Sequence, residues 1–543
     1  MLQHKSYADA VSAFRWQIPS ELNLGFELCD KHAIDADRLA LISIGECGVE
    51  KFTFRQIECQ SNKLGNALLH LGVRRGDRVG ILLSQRPETG ISHVACFKIG
   101  AISLPLFTQF GPDAVRFRLA NSSSVALITD EENIQKVLAV RDDLPELRAI
   151  IVVDRPSTKE TIGYQDLVEK SSDSLTLAKT LANDPALIVY TSGTTGPPKG
   201  ALHAHRIMEA HKPAIDFTQD GFPVSGDCFW TPAEWAWGGG LFNSLFGSWC
   251  SGVPIVAHRF RKFDPEQAFH LIAQHGVRNS FMPPTALKMM REVPASKRPN
   301  LDMRSINSGG ESLGAETLEW AKEVFGLTIN EFWGQTEANF LTGNSAKLMP
   351  TKPGSIGRAT PGHTIEVVNE AGEILPRGQT GIIAAKGPDP IFFLNYWNNP
   401  EGTKAKFAGD WLLTGDTGYQ DDDGFFWFQG RNDDIISSGA YRIGPSEIES
   451  CIASHADVAA VAVIGAPDPL RGEIVKAFVV LNEGTSASDD LKKSIQSLVR
   501  QRLAAYQYPR EVEFMECLPM TPSGKVQRSE LRALEKRRRQ GET

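Results

Sequence analysis

Between Tyr190 and Gly200 the chain reads Tyr-Thr-Ser-Gly-Thr-Thr-Gly-Pro-Pro-Lys-Gly, a run that combines backbone freedom, hydroxyls and positive charge. Gly193, Gly196 and Gly200 let the backbone approach an anion closely. The hydroxyls of Thr191, Ser192, Thr194 and Thr195 can donate to phosphate oxygens, and Lys199 adds a cation. The apolar run Ala186–Tyr190 reads as a strand leading in, and the His-containing stretch behind the loop reads as helical. The common nucleotide P-loop is excluded, because it needs Gly-Lys-Ser/Thr at its end and Lys199 here follows Pro198. A plain surface loop would explain the glycines alone, but not glycines, hydroxyls, prolines and a lysine in this order after a strand.

This segment resembles the phosphate-binding signature of the adenylate-forming superfamily. That family contains acyl-CoA synthetases, aryl-CoA ligases, firefly luciferase and the adenylation domains of peptide synthetases. Further signatures follow in the family's order. Ser308-Gly309-Gly310-Glu311-Ser312-Leu313 resembles the segment that lines adenine, which implies nucleotide contacts at Gly310, Glu311 and Ser312. Asn330-Glu331-Phe332-Trp333-Gly334-Gln335-Thr336-Glu337 resembles the next motif. The resemblance gives Trp333 stacking on adenine, Gly334 and Gln335 lining the nucleotide, Thr336 touching the α-phosphate and Glu337 holding magnesium. Each role suits its chemistry: an indole face stacks on a purine, and a hard oxygen ligand suits magnesium.

Trp411-Leu412-Leu413-Thr414-Gly415-Asp416-Thr417-Gly418 resembles the ribose site. Asp416 would accept from both ribose hydroxyls, assisted by Arg431. Asp433 falls at the family's hinge. In Pro522-Ser523-Gly524-Lys525, Lys525 resembles the mobile catalytic lysine, whose ammonium would neutralise charge between the attacking carboxylate and the α-phosphate. Ile436–Pro445 resembles the loop lining the thiol tunnel, with Arg442 at phosphate. Relatives generally carry glycine just before the Tyr-Arg pair, where this chain has Ala440 with Gly439 one place earlier. Arg471 and Lys476 read first as surface charges; the resemblance offers contact with the nucleotide end of coenzyme A as the alternative.

The implied reaction has two halves. A carboxylate attacks the α-phosphorus of ATP, pyrophosphate leaves, and the resulting acyl-adenylate passes its acyl group to a thiol. The first half needs positioning and charge neutralisation rather than a general base, since a carboxylate is already nucleophilic. Lys199, Thr336, Glu337 with Mg2+, and Lys525 supply these. Rotation about Asp433 would then withdraw Lys525 and open the tunnel for coenzyme A.

The elements that must position these groups are read from periodicity. Short apolar runs at Arg78–Leu83, Ala126–Thr129, Ala149–Val153, Leu187–Thr191, Pro254–Ala257 and Leu327–Phe332 predict buried strands. Ile57, Leu64, Leu68 and Leu71 recur at helical spacing between them. The expected fold is α/β: a large N-terminal domain of mostly parallel sheets flanked by helices, plus a small mobile α+β C-terminal domain. The boundary is placed after 432, giving 1–432 and 433–543. In the second unit Val458–Ile464 and Ala477–Leu481 read as strands and Leu491–Leu503 as an amphipathic helix.

A length of 543 residues exceeds one ordinary core, and 41% hydrophobic with 22% charged residues is a globular composition. A net charge of -8 disfavours a nucleic-acid partner, and the basic run Lys536–Arg539 reads as the end of a solvated helix. The eight cysteines form no C-x-x-C pair, so neither a zinc site nor a disulfide framework is expected. No stretch is long and apolar enough for a bilayer; Ile91–Phe107 is interrupted by His93 and Lys98. A cytoplasmic protein without integral membrane contact is expected.

For the acid, Gly334 stands where acetyl-CoA synthetases carry a pocket-closing tryptophan, so acids larger than acetate are expected. Medium-chain relatives match Trp237 but carry a smaller residue at Trp235, which would shorten the pocket or else pack in the core. The expected activity is that of an AMP-forming ligase of short- to medium-chain or branched fatty acids and coenzyme A. A benzoate-type CoA ligase, and an acyl-AMP ligase loading a carrier-protein phosphopantetheine, share these clues. A silent ATP-binding regulator would be expected to lose Lys525, Glu337 or Asp416, all present. A luciferase-like oxygenase shares only the first half-reaction. The resemblance also suggests a lysine acetyltransferase acting on Lys525 as a partner; the sequence sets no oligomeric state.

Overall fold

The computed structural model describes residues 4–46, 48–191, 197–310, 313, 315–431, 436–439, 441–519, 526 and 528–539. Two large sheets carry most of the chain. One has eight strands, with Ile102–Pro105, Arg78–Leu82, Ala126–Thr129 and Ala149–Val152 side by side and parallel. Their residues are buried almost throughout, as strands covered on both faces require. The other has nine strands, with Ile255–Ala257, Phe229–Trp230, Asn279–Phe281, Ser305–Ser308 and Asn330–Trp333 parallel at its centre. Helices Phe54–His70, Pro87–Lys98 and Ile207–Thr218 share one apolar cluster with inward residues of both sheets. The first of these starts on a capping box in which Thr53 and Gln56 satisfy each other's backbone N–H groups.

The predicted α/β fold is borne out, with local differences. The predicted strand Leu327–Phe332 is shifted to Asn330–Trp333, because pairing begins at Asn330 and Glu331 against Asn307 and Ser308 and continues at Phe332 and Trp333 against Gly343 and Thr342. The stretch expected to be helical behind the phosphate loop is strand Lys199–Ala204, antiparallel to Pro185–Thr191 with Thr191 opposite Lys199; the helix starts only at Ile207. His93 and Lys98, which interrupt the apolar run Ile91–Phe107, are wholly buried. Lys98 tolerates this because Asp30 stands 2.6 Å away, with Ser61 and Asn62 accepting its remaining protons.

A third sheet of five strands carries Trp411–Gln420, paired with Gly381–Lys386 and Phe426–Arg431. A fourth is built from Ile436–Ser438, Tyr441–Ile443, Val458–Asp468, Gly472–Leu481 and Glu511–Phe514. Val458–Asp468 runs four residues past its predicted end at Ile464, since the partner strand continues pairing to Gly472 despite Gly465 and Pro467. One face of this last sheet packs helix Arg528–Arg539 through Leu531 against Ile464 and Phe478. Its other side joins an apolar cluster that includes Leu104, Phe110 and Ile188 of the eight-stranded sheet's side. Direct contacts tie the two: Ala505 N–H donates to the Gln109 carbonyl at 3.2 Å, and Gln109 Nε2 donates to the Tyr441 hydroxyl at 3.2 Å.

Candidate active site

A cavity of about 860 Å3 opens where the nine-stranded, third and fourth sheets meet. Trp333 and Gly334 at the end of strand Asn330–Trp333, Gly310 after strand Ser305–Ser308, and Asp416 from Trp411–Gln420 all line it. Asp416 is wholly buried and accepts from Trp333 Nε1 at 3.1 Å and Gln335 Nε2 at 3.0 Å. Gln335 Nε2 also donates to the Thr414 carbonyl, and Lys406 Nζ donates to Gln335 Oε1 at 3.3 Å. These bonds fix one carboxylate oxygen of Asp416, Oδ2, in a low-dielectric wall. Gly310 has φ +93, and a Cβ there would stand 3.3 Å from the Trp237 indole, so glycine is needed for both conformation and space.

Glu331 also lines this cavity. Its carboxyl accepts from the Leu313 N–H at 3.3 Å, and burial pushes its pKa up to about 7.

Thr191 and Lys199 face each other across the hairpin that carries the Gly- and Thr-rich loop. Lys199 Nζ lies 5.4 Å from the Tyr396 ring centre, and the Tyr396 hydroxyl donates to Glu337 Oε1 in a very short bond. Reciprocal backbone bonds between Gln335 and Ala338 close the turn that presents Thr336 and Glu337. Lys199, Tyr396 and Glu337 therefore form one continuous cation–aromatic–carboxylate array. Among the described residues no three His, Cys, Asp or Glu side chains converge as a metal cage. A single buried carboxylate fits magnesium, which binds through one or two carboxylates plus substrate phosphates and water.

A second, smaller cavity of about 140 Å3 lies at the junction with the fourth sheet. Phe107, Trp237, Phe263 and Met289 give it apolar walls, Gly439 and Tyr441 close one side, and Glu234 supplies a carboxyl. Tyr441 stacks on Tyr506 at 3.9 Å between ring centres, and Tyr506 meets Phe107 at 6.0 Å. Arg471 lines both cavities, and its carbonyl accepts from the Gly439 N–H at 2.8 Å.

Thus Gly310, Trp333, Gly334 and Asp416 line the larger cavity with Gln335 bonded to Asp416, while Lys199 and Glu337 meet at Tyr396 and are joined to that wall through the turn between Gln335 and Ala338; Thr191 stands opposite Lys199. Ser192, Gly193, Thr194, Thr195, Glu311, Ser312, Asp433, Ala440 and Lys525 lie outside the described residues, as do the side chains of Arg431 and Arg442. Trp237 borders the smaller cavity, whereas Trp235 is wholly buried in the main core and lines neither cavity. Gly334 differs from expectation in what surrounds it. A Cβ there would meet backbone of Phe340 at 2.5 Å, so the glycine serves close chain packing, and the space in that direction is filled. Lys476 is not available to a nucleotide: Glu513 at 3.0 Å and Glu535 at 2.6 Å hold its ammonium. Glu331, Glu234, Lys406 and Tyr396 were missed. Glu331 stood inside a quoted motif; Tyr396 and Lys406 belong to no motif, and only strand pairing brings them here.

A family model described as AMP-binding enzyme matches residues 30–397, and one described as AMP-binding enzyme C-terminal domain matches 447–525. The acetyl-coenzyme A synthetase of Bacillus subtilis (strain 168) is 36% identical, covering 98% of this chain and 94% of the relative. The mitochondrial acyl-coenzyme A synthetase ACSM3 of Rattus norvegicus is also 36% identical, over 89% of this chain and 84% of its own length. Among solved structures, an acyl-CoA synthetase from Brucella canis superposes with a TM-score of 0.74 at 31% identity, covering 99% of this chain and all of that one. The seven cysteines among the described residues form no disulfide, and no helix there is long and apolar enough to cross a membrane.

Proposed function

The chain belongs to the AMP-binding enzyme family, and on that premise we propose that it joins a small carboxylic acid to coenzyme A through an acyl-adenylate. It is an AMP-forming acid–thiol ligase that uses ATP and Mg2+, with coenzyme A as co-substrate. The observation that carries this reading is the mutual support of Asp416, Trp333 and Gln335, distant in sequence, in the wall of one cavity.

In the adenylation half, Asp416 accepts from the ribose hydroxyls, with Arg431 beside it, and Trp333 holds the base. The backbone and hydroxyls of Thr191, Ser192, Gly193, Thr194 and Thr195 cradle the β- and γ-phosphates, with Lys199 neutralising them. Thr336 meets the α-phosphate. Glu337, oriented by Tyr396, would hold magnesium, which when bound would supply charge neutralisation on the polyphosphate. Lys525 neutralises the charge between carboxylate and α-phosphate.

The unit after 432 turns about Asp433 between the halves, and Lys525 and the Gly439–Arg442 segment exchange places. The contacts of Tyr441 with Gln109 and of Gly439 with the smaller cavity support the thiol-transfer arrangement for this structure. The apolar walls there support a short- to medium-chain or branched alkyl acid. Scattered cysteines, with no disulfide among the described residues, support a reducing cytosol as the place of work. Acetylation of Lys525 would remove its charge; finding only unmodified Lys525 by mass spectrometry in every growth condition would count against that regulation.

A panel from acetate to decanoate, with isobutyrate, 2-methylbutyrate and benzoate, tests the assignment. Coenzyme-A-dependent AMP release should peak on an acid larger than acetate. A peak on benzoate would give the aromatic ligase instead. ATP–pyrophosphate exchange without acyl-CoA would transfer the acceptor role to a carrier-protein phosphopantetheine. No exchange with any acid would overturn the reading.

A further inference from the structure

We propose that Glu234 is the base that takes the proton from the incoming thiol, an inference that rests on the acid–thiol ligase reading above. Adenylation needs no base, but transfer does, since a thiol reacts as its thiolate and an alkyl thiol is mostly protonated near neutral pH. Glu234 is the only carboxylate among the described residues lining the smaller cavity, which it shares with Trp237, Gly439 and Tyr441. Its Oε1 accepts from the Thr108 N–H at 2.7 Å. The Thr108 carbonyl is held in turn by the Lys136 ammonium, so the turn that aims the carboxyl is fixed on both sides. Gln109, the next residue, donates to the Tyr441 hydroxyl, so the arrival of Tyr441 and the placement of Glu234 depend on one turn.

The charged and titratable groups facing the carboxyl are the cations Lys136, Arg259 and Arg471 and the neutral Tyr441 phenol, each from a different element. Burial raises the carboxyl's pKa in spite of Lys136, Arg259 and the bonds from Thr108, which strengthens it as a base. In the step, the S–H bond breaks and its proton passes to the Glu234 carboxylate. Sulfur bonds to the acyl carbon, the bond from that carbon to the phosphate oxygen breaks, and AMP leaves with the electron pair. The proton is then released to water.

Glu234→Gln keeps an acceptor for the Thr108 N–H and removes the base. With the full-length enzyme, preformed acyl-AMP and coenzyme A, the single-turnover transfer rate should fall by about a hundredfold or more relative to ATP–pyrophosphate exchange. Acyl-hydroxamate formation with hydroxylamine, a nucleophile already neutral and reactive at pH 7, should fall far less. In the native enzyme the transfer rate should rise with pH as Glu234 ionises and then level. In the variant it should climb in proportion to thiolate instead. Glu234→Asp should restore part of the rate and the levelling profile. Equal losses of transfer, exchange and hydroxamate, or an unchanged pH profile, would make Glu234 a support for the turn and overturn the proposal. Absence of exchange in the native enzyme would instead sink the ligase reading itself.

Discussion

The two cavities each hold a carboxyl that burial lifts, Glu331 in the larger and Glu234 in the smaller, and their surroundings differ in kind. Glu331 stands on a central strand and is bonded to Leu313, five residues after the strand Ser305–Ser308 that flanks its own. Its main supports lie within one sheet and its following loops. Glu234 stands on a loop, aimed by a turn whose Gln109 is also bonded to Tyr441 of the fourth sheet and to Ala505, ahead of that sheet's strand Glu511–Phe514. The proposed nucleotide wall thus rests on bonds between the nine-stranded and third sheets, with the fourth sheet at its border, whereas the smaller cavity is closed on one side by Gly439 and Tyr441 of the fourth sheet's part of the chain. The difference suits a reaction whose first half must hold ATP and whose second must admit a thiol at a chosen moment.

The largest effect is expected at the proposed nucleotide wall. Asp416→Ala would remove the proposed ribose acceptor and leave Trp333 Nε1 and one proton of Gln335 without that partner. Hydrogen bonds to charged groups contribute roughly 1.5–3 kcal/mol each, so ATP–pyrophosphate exchange should drop by about a hundredfold or more. A change under threefold would show that the wall does not anchor the nucleotide.

A second test uses pH. Because the Glu331 carboxyl holds its proton to about pH 7 in the folded protein, folding is favoured while it stays protonated. The unfolded chain releases that proton nearer the ordinary range, so the native protein loses this stability as pH rises through about 7. Glu331→Gln should therefore gain on the native chain between pH 5 and 8, by roughly 2 kcal/mol in denaturant unfolding. Parallel stability curves would place Glu331 in a more hydrated setting than its burial implies.

The smallest effect is the most selective for the docked side. Gly111 has an ordinary φ of -78, so alanine suits its backbone, but a Cβ there would lie 2.2 Å from the carbonyl carbon of Arg502. Gly111→Ala should slow acyl transfer about tenfold, as overpacking costs roughly 1–3 kcal/mol, while leaving exchange within twofold. Loss of both activities together would mean that the contact serves folding rather than docking.

The amino-acid sequence by itself determined the order in which the residues of the proposed nucleotide side occur. Trp333 to Glu337 are consecutive, and Thr191 and Lys199 close one hairpin, so their chemistry is written in short order along the chain. The parallel strands were legible for a similar reason: residues buried on both faces leave unbroken apolar runs, as at Ala126–Thr129. Strand ends were not, because they are set by how far a neighbour continues to pair, as for Val458–Asp468. Only the tertiary structure brought Tyr396 to Glu337, sent Trp235 into the core, filled the space beside Gly334 with the chain's own backbone, and set Glu234 against Tyr441. Each depends on packing between segments far apart in sequence, where no local periodicity or spacing records which side chain a neighbour will cover.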